Sequence, residues 1–151
     1  MGVEIRCTGP AETMAVGRRL ASLLRPGDVV LIEGDLGAGK TTFIAGVAEG
    51  LGVDEEITSP TFILARTYSG LVPLTHADVY RMDTLGEVAD LDLIEEAADG
   101  VLMIEWGTAV EQSMPASRLV VHLEVSGQDT RILRFDPLGD WSDRPLEELE
   151  L

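Results

Sequence analysis

The 151-residue chain has one cysteine, two histidines and, among its eleven basic residues, one lysine. A lone Cys7 excludes an internal disulfide, and one cysteine with two histidines argues against a structural zinc site. No uninterrupted apolar run approaches the ~20 residues needed to cross a bilayer, so no membrane span is expected. Glu4 and Arg6 deny the first residues the apolar core of a secretion signal, and a soluble cytoplasmic domain is expected. Basic residues are scarce beside 27 acids, giving a formal charge of −16. That sign opposes the electrostatic attraction behind most nucleic-acid affinity, so any service to a nucleic acid is expected through another protein. There are no internal repeats and no low-complexity tracts. With 45% hydrophobic residues the chain is apolar enough to fold around one core despite its self-repulsion.

What is present centres on Gly34-Asp35-Leu36-Gly37-Ala38-Gly39-Lys40-Thr41, which matches G-x-x-x-x-G-K-[ST], the phosphate-cradling loop. Its glycines permit backbone angles closed to other residues, so that successive N–H groups can converge on an anion. Lys40, the sole lysine, would reach the outer phosphates as a compact charge. The Thr41 hydroxyl would ligate Mg²⁺, a hard cation that takes oxygen ligands. The context also fits. Val29–Ile32 is a short apolar run suited to a buried strand, and Phe43, Ile44, Val47, Ala48 and Leu51 recur at helical spacing before Gly52. Strand, loop and helix in this order place phosphates at the positive end of the helix.

Along the chain, residues 3–7 read as a strand and 11–24 as an amphipathic helix carrying Met14, Gly17, Leu20, Ala21 and Leu24 on one stripe. Residues 62–68 and 71–79 form a hairpin signal across Ser69-Gly70. Residues 85–98 look helical, broken near Asp90. Val101–Ile104 is a second apolar run, ending in Glu105-Trp106. Residues 118–125 alternate and turn at 126–129 into 131–135, a second hairpin. The division expected is a nucleotide-binding domain over 1–138 and an acidic tail over 139–151, either a short helix or disordered chain.

A phosphate loop needs acidic partners at the carboxyl ends of neighbouring strands. Glu105 and Asp78 are the candidates: one for Mg²⁺, directly or through water, the other to orient the attacking water. Glu105 is the better metal candidate, because its strand should neighbour the loop strand. Thr58-Ser59-Pro60-Thr61-Phe62 lies where a segment sensing the outermost phosphate is often placed. His76 reads equally as a packed hydrogen-bonding residue or a catalytic one. Trp106 reads as core packing or as a cover for the nucleotide.

Four stretches together resemble one family. GDLGAGKTT over Gly34–Thr42, TSPTF over Thr58–Phe62, HADVYR over His76–Arg81 and IEW over Ile104–Trp106 follow the order and spacing of the TsaE (YjeE) family. These are small bacterial ATPases of the pathway that makes threonylcarbamoyladenosine in tRNA. The resemblance spans roughly residues 8–137. It implies an α/β, three-layer P-loop NTPase fold, with a mostly parallel central sheet and antiparallel hairpin additions. It also implies weak Mg²⁺-dependent ATP hydrolysis and action through the TsaD–TsaB pair. By resemblance Lys40 and Thr41 bind phosphate and Mg²⁺, Thr42 supports them, Glu105 serves the metal, Asp78 is catalytic and Trp106 lies near the nucleotide. Gly107 stands where many relatives are expected to have proline.

Rival functions fare less well. A guanine-reading Asn/Thr-Lys-x-Asp motif cannot exist, because the only lysine is in the loop. A small-molecule kinase is the runner-up, but it usually needs an arginine-rich lid, and the ten arginines are scattered. Val125-Ser126-Gly127-Gln128 resembles part of a transporter signature but follows the second nucleotide motif instead of preceding it. A nucleotide-gated binding protein overlaps with the family reading.

Overall fold

The computed structural model describes residues 2–35, 37–58, 65–79, 93–106 and 111–151. Strands β1 (Val3–Cys7), β2 (Val29–Glu33), β3 (Ala65–Tyr68), β4 (Leu74–Asp78), β5 (Val101–Glu105), β6 (Arg118–Val125) and β7 (Arg131–Leu138) join in one sheet. Their order is β1-β7-β6-β2-β5-β4-β3. The four central strands β6, β2, β5 and β4 run parallel. β3 is antiparallel to β4, and β7 and β1 complete the other edge as antiparallel additions. This is the α/β sheet expected from sequence; the first hairpin is described over β3 and β4, with residues 62–64 outside the described residues and β4 starting only at Leu74, and in the second β7 runs to Leu138, beyond the expected 135.

The central strands are buried on both sides, which is why β2 and β5 are nearly continuous apolar runs. Side chains nevertheless alternate. Val30, Ile32, Val101 and Met103 enter one apolar cluster, while Val29, Leu31, Leu102 and Ile104 enter another. Helices α1 (Pro10–Ala21) and α2 (Lys40–Gly50) cover the first face. On the second face Leu93, on the short helix α3 (Leu93–Glu96), packs with Ala97 and Val79.

α1 ends three residues earlier than the pattern predicts. Leu23 and Leu24 close tight turns onto Leu20 and Ala21 (N···O 2.9 and 3.2 Å), and Asp28 accepts the Arg25 N–H at 2.6 Å. Its buried residues are Thr13, Val16, Gly17, Leu20 and Ala21, while Met14, expected on this stripe, is only partly buried where α2 crosses very closely. A Cβ on Gly46 would lie 2.2 Å from the Met14 carbonyl oxygen, so only glycine allows this approach. The crossing seats the start of α2, and with it the glycine-rich loop before Lys40, beside α1.

The acidic segment from Gly139 is ordered. Residues Gly139–Asp143 and Leu146–Leu149 make two short 3-10 helices. Trp141, Leu146 and Leu149 are buried in the same cluster as α1 and α2. Arg144 pairs with Asp28 through both nitrogens, at 2.5 and 2.8 Å, and stacks 3.8 Å from the Trp141 ring. No helix among the described residues is long and apolar enough to cross a membrane.

Candidate functional site

The loop between β2 and α2 is shaped by its glycines. Gly39, immediately before α2, has φ 98°, a left-handed conformation that a Cβ disfavours. Ala38 N–H donates to the Asp35 carbonyl at 3.0 Å, and Phe43 N–H returns to Gly39 at 2.9 Å, closing the first turn. The remaining N–H groups at the start of α2 have no helical partner, which is the general condition for holding an anion.

A cleft of about 310 Å³ opens at this helix end, lined by Gly37, Gly39, Lys40, Thr41, Thr42, Asp78, Glu105 and Trp106. These residues come from three separate stretches of chain. The sheet brings them together: β2 pairs with β5, as the placement of Glu105 required, and β5 pairs with β4 so that Asp78 and Glu105 are direct cross-strand partners. Asp35 is exposed beside the loop, and Ala38 is packed beneath it.

Lys40 is 5% exposed. Its ammonium donates to the Gly34 carbonyl and lies 3.5 Å from the centre of the Trp106 ring. Burial pushes its pKa below the ordinary lysine value, while Glu105, Asp78, Glu33 and Asp35 act the other way. Because the folded-state pKa is lowered, the charged lysine opposes folding at every pH below it. That cost fades as pH rises towards the unfolded value.

Trp106 is the one non-glycine residue at positive φ (63°) among those described. Such a conformation for a bulky side chain costs about 1–3 kcal/mol and persists only when its surroundings impose it. Here the Trp106 N–H donates to Ile32 at 2.7 Å, tying the end of β5 to β2, and the ring lies against the lysine. Trp106 thus packs partly buried against the second apolar cluster and also lines the cleft.

The side chains present suit Mg²⁺. Thr41 offers a hydroxyl, and Asp78 and Glu105 offer carboxylates, all hard oxygen donors on one cleft. No group of three or more histidine, cysteine, aspartate or glutamate side chains that could hold a metal occurs among the described residues, but Mg²⁺ held with phosphates and water does not need one.

The structure also adds residues that no motif identified. Arg131, at the start of β7, donates to the Gly37 carbonyl at 3.2 Å. It lines a second hollow, about 150 Å³, with Pro10, Thr13, Gly37, Gly39, Thr42 and Asp129 on the other flank of the loop. No local signal marks Arg131, because only the β6–β7 hairpin carries it to the loop. The 126–129 segment is that hairpin's turn, with Ser126 N–H donating to Thr130 at 2.9 Å. Arg66, on edge strand β3, is half-exposed and paired with Glu55 at 2.8 Å. Thr58 is exposed. Leu36, Ser59, Pro60, Thr61, Phe62, Arg81, Gly107 and most of the helix expected over 85–98 lie outside the described residues.

Residues 7–133 match the family model described as threonylcarbamoyl adenosine biosynthesis protein TsaE. The chain is 41% identical over 145 residues to the Bacillus subtilis tRNA threonylcarbamoyladenosine biosynthesis protein TsaE, covering 95% of this chain and 91% of that one. It is 45% identical over 119 residues to the Streptomyces coelicolor protein of the same name, covering 76% and 80%. Among solved structures it resembles the crystal structure of Bacillus subtilis YdiB, with a TM-score of 0.77 and 38% identity over 99% of this chain and 94% of that one.

Proposed function

The chain belongs to the TsaE family, and we propose that it is an ATPase of the tRNA threonylcarbamoyladenosine pathway, acting through the TsaD–TsaB pair. One observation carries the nucleotide reading: Lys40, Thr41, Asp78 and Glu105 line a single cleft at the N-terminus of α2. Of these four groups only Lys40 is cationic, and it faces four carboxylates. In so acidic a site Mg²⁺ is expected to strengthen the binding of a triphosphate. When bound, Mg²⁺ would supply charge neutralisation and Lewis-acid activation at the phosphate oxygens.

The chain's own residues do the rest. The backbone N–H groups of the loop receive the phosphates. Lys40 exchanges the Gly34 carbonyl for a phosphate oxygen and stabilises charge developing on the outermost group. Thr41 and Glu105 are the groups suited to hold the metal, and Asp78 orients the water. That water attacks the outermost phosphorus, the bond to the bridging oxygen breaks, and ADP leaves. Trp106 shields the lysine side of the cleft, and Thr42 lies between the two hollows flanking the loop.

The net charge of −16 opposes direct hold on tRNA. Hydrolysis in this reading resets the partner complex between rounds and does not modify the adenosine. The hydrolytic step at Lys40 would then be needed for repeated turnover by TsaD, not for its chemistry.

The single lysine makes the nucleotide reading directly testable. With ¹³C-labelled lysine, Lys40 gives one side-chain NMR signal. In the free protein its titration midpoint is expected below the ordinary value of about 10.4. Saturating ATP with Mg²⁺ is expected to raise it, because phosphate charge favours the ammonium form. A midpoint that ATP leaves unmoved would remove Lys40 from the phosphate site.

A further inference from the structure

His76 and Glu105 form a buried pair: Nε2 lies 2.6 Å from Oε2, with the side chains 0% and 4% exposed. The pairing follows from the sheet. His76 and Asp78 project from the same face of β4, and Asp78 is the direct partner of Glu105 on parallel β5, so His76 meets Glu105 on the diagonal. His76 lies beneath the cleft and is not among the residues lining it.

Its other ring nitrogen, Nδ1, is buried and finds no hydrogen-bond partner among the described residues. A histidine kept only for packing would be expected to satisfy both nitrogens or to be replaced by an apolar residue. Here one nitrogen is left wanting while the other is committed to the carboxylate. With a carboxylate as its partner, Nε2 is the nitrogen that carries a proton, and it donates to Glu105 Oε2. Oε2 is thereby tied down, on a residue that itself lines the cleft.

We propose that His76 is a positioning residue for Glu105: its Nε2–H fixes the carboxylate in the orientation that receives the nucleotide-bound divalent cation. This rests on the reading of the cleft as an Mg²⁺–ATP site. Partners of this kind orient metal-ligating carboxylates elsewhere, and their loss typically weakens metal affinity by about 10–100-fold.

The test uses Mn²⁺ as a paramagnetic stand-in for Mg²⁺. Its affinity for the protein–ATP complex is measured by electron paramagnetic resonance, and ATP affinity in EDTA by calorimetry. Three variants are compared with the unaltered chain. His76→Leu removes the donor. His76→Gln places an amide where Nε2 stands. His76→Asn places the same amide at the Nδ1 position, short of Glu105. The leucine and asparagine variants are expected to bind Mn²⁺ about 10–100-fold more weakly, with ATP affinity in EDTA unchanged. The glutamine variant is expected to keep most of the metal affinity. If the leucine variant does not fold, the glutamine–asparagine comparison decides alone. Equal Mn²⁺ affinity in all forms, or equal loss in glutamine and asparagine variants, would overturn the inference. So would a loss that also appears in EDTA. An unaltered chain that binds no Mn²⁺ with ATP would overturn the cleft reading, and this inference with it.

Discussion

Lys40→Ala is expected to lower ATP hydrolysis by about 10²–10³-fold while leaving a cooperatively folded protein, the loss typical of one well-placed electrostatic contact. The chain has no other lysine to substitute. Arg131, which reaches the loop, is held by the carbonyls of Gly37 and Thr130. The fold should survive because the ammonium is already poorly solvated, so removing it relieves a desolvation penalty as well as deleting the bond to Gly34. The measurement is steady-state phosphate release from wild type and variant at matched purity, with thermal melting alongside. A variant hydrolysing at the full rate would show that the loop lysine does not face the transferring phosphate.

Trp141→Ala is expected to destabilise the protein by about 3–5 kcal/mol, the range for truncating a large buried aromatic. That is a large share of the 5–15 kcal/mol typical of a domain. Trp141 is 1% exposed and anchors the C-terminal turns against α1, β6 and β7. Removing it also takes the stacking surface from Arg144, whose guanidinium neutralises the nearly buried Asp28. Because Asp28 begins the turn into β2, the damage should reach the loop strand. Urea unfolding of both proteins checks this. A shift below about 1 kcal/mol, within the reach of an ordinary surface substitution, would show the tail to be an appendage.

These two residues differ in how visible they were. Lys40 sits in a local pattern: the glycine loop between an apolar run and a helical stripe is complete within twenty-odd residues, so the sequence displays it directly. Glu105 was legible for a similar reason, as the acid ending a buried strand. Asp78 needed the further inference that its hairpin strand lies beside that of Glu105, which parallel pairing of β4 and β5 provides. Trp141 had no such signal. Its turns are too short for a helical period, and the acids around it resemble a solvated tail, while its burial depends on α1 and the β6–β7 hairpin.

The remaining surprises also arise from tertiary contacts. Glycine at Gly46 lets α2 approach Met14 of α1 within backbone contact, a closeness that periodicity does not encode. Arg131 reaches the loop from 94 residues away. The His76–Glu105 bond depends on parallel register, which no local pattern specifies. Its own stretch of sequence therefore leaves His76 equally a packed residue or a catalytic one.

In the proposed reading the cleft hydrolyses ATP under the control of TsaD and TsaB. The most direct measurement is ATP hydrolysis by the purified protein in excess Mg²⁺, alone and with TsaD and TsaB. The expected result is a low rate alone that rises when both partners are present. A rate indifferent to them, or ATP consumed only when a small-molecule acceptor is added, would contradict it.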